Sequence, residues 1–270
     1  FLSGLMPPDK REEAESGGKK AVDAVEGIAS ALAAAGITAA IKEITESAYE
    51  LVTVFSDAES TVVKATGASG AALDGLTESM MNAYAASKSG DLGNTAGAIG
   101  EINTRMLLTG DALTTVTGQF LDFSEITGTN VVGSVQSATK IMNKWDIEAS
   151  NVGSVLDKLA YAGQISGISV DSLSSTVTNS SATFQALDLN LDNAIGLLAD
   201  LELYGTSSQT TVTGLRTAVN NFTKDGLDAG DALRNVIEEI SNMEDASAAT
   251  ALAVETFGSR AGQELAGAIR

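Results

Sequence analysis

The 270-residue sequence contains no cysteine and no histidine, only two prolines, and 4% aromatic residues. Without cysteine there is no disulfide framework, and cysteine-based zinc, haem and iron–sulfur sites are excluded. Without histidine, the imidazole bases of hydrolytic triads are excluded as well. Any catalysis would have to come from carboxylates, lysines and hydroxyls. Cations are also scarce: 16 Lys and Arg stand against 35 Asp and Glu, a formal charge of −19. Each phosphate contact needs a cation, so the balance opposes adhesion to nucleic acid or anionic lipid, and no stable nucleic-acid binding is expected.

What is present is apolar but small. Apolar residues make up 44% of the chain and charged residues 19%, a composition that belongs to neither a disordered tail nor a membrane protein. With so few aromatics the core must be built from Ala, Leu, Val and Ile. The length suits one or two domains. The chain opens on Phe1 rather than Met and stops at Arg270 inside an apparent helix, so it reads as a piece of something longer. Its first residues, FLSGLMPPDKREE, do not make a signal peptide, because no basic stretch leads an apolar run.

Both prolines lie together at Pro7 and Pro8, which leaves everything beyond them free of the strongest helix breaker. Glycine supplies the punctuation, followed by a polar cap-former: Thr66-Gly67-Ala68-Ser69, Thr109-Gly110-Asp111, Thr127-Gly128-Thr129-Asn130, Ser166-Gly167, Tyr204-Gly205-Thr206-Ser207 and Gly226-Leu227-Asp228. Glycine closes one helix in the left-handed conformation and the next Ser, Thr, Asp or Asn accepts from the free amides of the following helix. Between these marks the apolar residues recur at helical spacing, as in Val131, Val135, Ala138, Met142 and Trp145, or Val212, Leu215, Val219 and Phe222. The expected fold is all-α, about eleven short helices folded back on one another as a multi-helix bundle or antiparallel array, with no sheet. Residues 1–45 are expected to form an Ala-rich helical lead-in and residues 46–270 a helical domain. Within the lead-in, Gly27 to Ile41 is a run of fifteen uncharged residues, short of the roughly 20 that a spanning helix needs. It reads as an Ala-rich helix that lets neighbours approach closely, or as one that enters a membrane only after a conformational change.

Chemical motifs are few. No phosphate-binding glycine loop is present. Asp188-Leu189-Asn190-Leu191-Asp192 imitates the opening of a calcium loop, but Asn193 stands where the loop needs glycine and Ala199 where it needs the closing glutamate. The better reading has Asn190 or Asp192 capping the helix that follows. Glu12–Glu13 and Glu238–Glu239 are adjacent and diverge by about 100° on a helix, so they do not converge on one substrate atom. Trp145 lies on an apolar stripe and reads as a core or interface anchor. No catalytic, cofactor or metal residues are expected.

Four stretches in order carry a resemblance. Phe55-Ser-Asp-Ala-Glu-Ser-Thr-Val-Val-Lys-Ala-Thr66-Gly67 comes first, then Gln164-Ile-Ser-Gly167-Ile-Ser-Val-Asp-Ser-Leu173. Leu197 to Gly205 follows with Thr213-Gly214-Leu215-Arg216, and last come Phe257-Gly258-Ser259-Arg260-Ala261-Gly262 and Leu265-Ala266. Together they resemble the core region of phage tail tape measure proteins over about residues 33–270, although Ser259 stands where that family often has a basic residue. In physical terms Phe257 would be a buried plug, Gly258 and Gly262 would let the chain turn and restart a helix, and Arg260 would donate to free carbonyls at a helix end. Arg260 could alternatively contact another tail protein.

The resemblance implies a structural role: lying in the tail lumen of the virion, setting tail length during assembly in the host cytoplasm, and leaving ahead of the DNA at ejection. It implies tail tube, tail tip and assembly chaperones as partners and a homo-oligomer in the lumen. A chain broken into short helices is a poor ruler, so this part is expected to be a folded or refoldable domain attached to one. The alternative is a membrane-active conduit with transient membrane contact through Gly27 to Ile41. A cell-wall hydrolase domain is a weaker third reading, and no enzyme activity is expected.

Overall fold

The structure is a computed structural model that describes residues 38–87 and 91–270, with side chains for all of these except 38–49 and 51. Among the described residues there are thirteen α-helices, one short 3-10 turn and no strand. The expected all-α array is therefore what forms. Most of the Gly27 to Ile41 run lies outside the described residues. No described helix is long and apolar enough to cross a membrane.

The chain divides into two compact units at Asp122 and Phe123. The first contains α1 (Thr38–Thr66), α2 (Ala71–Ala86), α3 (Leu92–Met106) and most of α4 (Gly110–Thr127), which runs across the division. In this unit α1 packs along α3, and α2 packs against both. Ala58 and Val62 of α1 and Ala96, Ile99 and Ile102 of α3 are buried. The two helices can approach because residue 100 is glycine: a Cβ there would overlap the Cβ of Ala65. The Thr104 hydroxyl then donates to the Ala65 carbonyl at 3.2 Å, satisfying one of the orphan acceptors at the end of α1.

The second unit contains α5 (Val131–Trp145), α6 (Val152–Ser166), α7 (Val170–Asn179), α8 (Ser181–Ala186), α9 (Leu191–Leu203), α10 (Ser208–Lys224), α11 (Ala229–Asn242), α12 (Ala246–Phe257) and α13 (Ser259–Ile269). Its centre is α10, which touches α7, α8, α9, α11, α12 and α13. The stripes read from the sequence face inward: Val131, Val135, Ala138 and Met142 are all buried, and so are Val212, Leu215 and Phe222. Each large apolar side chain removed from water in this way contributes about 1.5–3 kcal/mol.

The glycine turns form as the sequence predicts. Gly67, Gly110, Gly128, Gly167, Gly205 and Gly226 all have positive φ, between 57° and 87°. Cap-formers follow them: Asn130 accepts from the Gly133 amide at 2.9 Å, Ser207 from Thr210 at 3.2 Å and Asp228 from Asp231 at 2.9 Å. Two details differ. Gly110 begins α4, and the left-handed residue closing α3 is Leu107. The N-cap of α2 is Gly70, not Ser69, and makes no side-chain cap bond. Further helix ends fall at Asp146 and Asp188, both left-handed, and at Ser180, where no glycine marks them.

Replacing Asp228 by Ala removes the N-cap of α11 and is expected to cost about 1 kcal/mol, read from the midpoint of urea unfolding.

Candidate functional site

The residues that carry the resemblance come from distant stretches, and several of them meet at one place. Helix α12 ends at Phe257, Gly258 serves as both its C-cap and the N-cap of α13, and α13 folds back along α12. Gly258 has φ 85° and ψ 163°, a conformation open to glycine and strained for other residues. Four residues on, the backbone of Gly262 lies directly against α12. A Cβ there would overlap the Ala253 carbonyl oxygen and stand 2.5 Å from the Val254 nitrogen. No side chain can occupy that space.

Helix α10 closes the third side. A Cβ on Gly214 would stand 2.7 Å from the Ala261 Cβ, 3.1 Å from Leu265 Cδ1 and 3.4 Å from the Phe257 Cβ. Phe257 itself is 2% exposed, the buried plug that the sequence suggests. Leu215, Ala261, Leu265 and Ala266 are buried as well. Gly214, Leu215, Phe257, Gly258, Ala261 and Gly262 thus form one junction in which three helices meet at near-backbone distance. Close-packed interiors of this kind respond to the addition of a single methyl.

Arg260 behaves differently from expectation. Its side chain is 86% exposed and its Nε lies 3.7 Å from Glu264, one turn along the same helix. It does not reach the helix-end carbonyls. Position 260 is left to solvent because Ala261 faces Gly214 of α10 and Gly262 faces α12. The donor at the end of α12 is instead Asn221, whose Nδ2 donates to the Glu255 and Thr256 carbonyls, each at 3.2 Å. Its partners are 34 and 35 residues away in sequence, so no local pattern pointed to it. Arg216, the other basic residue of the resemblance, is exposed.

The remaining family-like residues are turn elements apart from the junction. Thr66 closes α1: its hydroxyl donates to the Val62 carbonyl at 2.8 Å and accepts from the Ala68 amide at 3.1 Å, across Gly67. Ser166 repeats the device at Gly167, donating to Ala162 at 2.6 Å and accepting from Ile168 at 3.2 Å. Gly205 sets the entry into α10, where the Glu202 carboxylate accepts from the Ser208 amide at 2.9 Å and from its hydroxyl at 3.1 Å.

The calcium-like run is a cap. Asn190 accepts from the Asn193 amide at 2.9 Å, Asp192 pairs with Lys158 at 2.6 Å, and Asp188 occupies the left-handed turn. Among the described residues no group of three or more Asp and Glu is placed to hold a metal. Trp145 is half-buried and stacks on Phe184 with ring centroids 6.3 Å apart, joining α5 to α8. Glu238 and Glu239 are both exposed.

The fold and this junction define an all-helical protein organised by close helix packing. The family model described as phage-related minor tail protein matches residues 96–267, more than half of the chain. The chain belongs to that family and is a phage tail protein. The match includes the junction, Gly167 and Gly205, and leaves out Thr66 and Gly67. No curated protein matches the chain, and no solved structure does.

Gly262→Ala is expected to destabilise the second unit by about 3 kcal/mol through overpacking against α12. By contrast, Gly196→Ala adds a methyl where no atom lies within 4 Å and is expected to be neutral or to stabilise by up to about 1 kcal/mol. Arg260→Ala should change stability by less than about 0.5 kcal/mol. Denaturant unfolding of the three variants side by side checks the order.

Proposed function

We propose that this chain is part of a tape measure protein, lying in the lumen of the phage tail, acting in the determination of tail length during assembly and leaving ahead of the DNA at ejection. The observation that carries this reading is the meeting of Gly214–Leu215 with Phe257–Gly262: two separate tape-measure-like stretches are explained together as one packing element. On this reading the signature residues hold helices, and the protein works as a structural part, without catalysis. Tail tube and tip proteins and assembly chaperones are the partners it would meet.

Within that role the described region acts as a packed domain and not as the measuring rod. A rod gains length with residue number, and residues 38–270 drawn out as one helix would span roughly 350 Å. The described residues are instead divided among thirteen short helices in two compact units. The excess of 35 acidic over 16 basic residues suits a protein that precedes DNA through a channel without adhering to it.

The test is made in the phage. An early stop codon in the gene is expected to abolish tails or give tails of irregular length in negative-stain electron microscopy. A tandem duplication of residues 38–270 is expected to leave the length within about a tenth of the roughly 350 Å that a rod would add. Normal, uniform tails with the stop codon would refute the tape measure role; full lengthening by the duplication would refute the packed-domain role.

A further inference from the structure

The first unit holds a cleft of about 390 Å3 at the end where the α1–α2 turn and the α3–α4 turn come together. Its floor is made by α2, with Ala71, Ala72, Gly75 and Leu76, and its other wall by Thr109, Gly110 and Asp111 at the start of α4. The polar groups that stabilise the turns are already engaged. Asn103 Nδ2 donates to the Leu108 carbonyl at 3.0 Å, and the Ser79 hydroxyl faces the carbonyls of Gly75 at 3.0 Å and Gly110 at 3.4 Å. Glu78, Asn82 and Asp111, which also line the cleft, are exposed and make no side-chain hydrogen bond or ion pair among the described residues.

Gly75 is an independent observation. It lies inside α2 with ordinary helical backbone, where glycine costs about 1 kcal/mol relative to alanine. A Cβ at this position would meet no atom within 4 Å. Neither backbone conformation nor packing within the protein calls for glycine here. Gly118, Gly196 and Gly267 are similarly unencumbered, and Gly75 is the one of the four that lines the cleft. Its missing side chain leaves the floor open to something that lies on it.

The occupant follows from charge and shape. The formal charges on the lining are two carboxylates, Glu78 and Asp111, with no cation among the lining residues. The complementary charge is a cation, and among the described residues no group of three or more acidic residues could hold a metal ion. The carboxylates are exposed, and an exposed ion pair is too weak to retain a free small cation. It adds usefully only when the cation arrives on a larger surface that already contacts the protein, which raises its effective concentration. The volume is at the small end of the range for ligand sites, enough for a few residues and too small for a folded domain. We propose that this cleft docks a Lys- or Arg-bearing segment of a partner protein, with the methylene stems over Ala72 and Gly75 and the cationic heads at Glu78 and Asp111. This is a second contact surface, in a different unit from the α10–α12–α13 junction and independent of the tape measure reading.

The test is fluorescence polarisation of a labelled peptide, GKRKG, titrated with the 270-residue chain at low salt. Saturable binding is expected, weakened about tenfold by the double variant Glu78→Gln/Asp111→Asn, since each exposed pair is worth about threefold. Gly75→Leu and Ala72→Leu leave the charge unchanged and are each expected to obstruct binding while the helical circular dichroism is retained. The second of these, at an exposed position, serves if the first fails to fold. The double variant Glu238→Gln/Glu239→Gln, which removes the same charge from the second unit, is expected to change affinity less than about twofold. Undetectable binding, equal weakening by that second-unit pair, or full binding by the leucine variants would overturn the proposal.

Discussion

The second unit depends on one steric constraint: α10, α12 and α13 come together at a point where no side chain fits between them. Gly262 lies on the backbone of α12, and Gly214 lies on Ala261. Because these approaches are so short, Phe257 can be enclosed by neighbouring helices instead of projecting into solvent, and Asn221 of α10 comes within reach of the last carbonyls of α12. Helix α10 is then fixed in orientation between Gly214 and Asn221. Its remaining faces are free to receive α7, α8, α9 and α11. The first unit uses the same physics on a smaller scale, with Gly100 of α3 against Ala65 of α1. A core with so few aromatic residues gains its contacts by bringing backbones together, since dispersion rises steeply with proximity and small side chains permit it.

Much of this could be read from the chain before any coordinates. The glycine turns and the inward stripes follow from φ restrictions and from the 3.6-residue period, both of which are local. Two kinds of feature were not local and escaped. The left-handed residues at Leu107, Asp146 and Asp188 are not glycines and enter that region at some cost; the nearby Gly110 and Asn190 mark two of these turns, but not the residue that takes the left-handed conformation. The capping of α12 by Asn221 depends on helices distant in sequence being adjacent in space, whereas the sequence pointed to the nearby Arg260. The roles of Phe257 and Gly262 could be anticipated because they act within one hairpin. That of Gly214 could be located but not explained, because its reason lies on another helix.

The chemistry of the chain fits this construction. A phage tail protein of this family that contains no cysteine or histidine has its distinctive residues at turns and close contacts, and those contacts are explained by packing alone. Glycine turns divide the fold into short helices, whose unpacking in packed groups suits the proposed passage through a narrow tube. The acidic balance suits the proposed passage ahead of DNA, and it leaves Glu78 and Asp111 for the proposed cationic partner segment.

Amide hydrogen exchange followed by mass spectrometry tests the junction most directly. If the close approach organises the second unit, the amides of α10, α12 and α13 share one high level of protection, and Gly214→Val lowers all three together. Rapid exchange across residues 246–269 while α10 remains protected, or loss of protection confined to α10 in the variant, would contradict it.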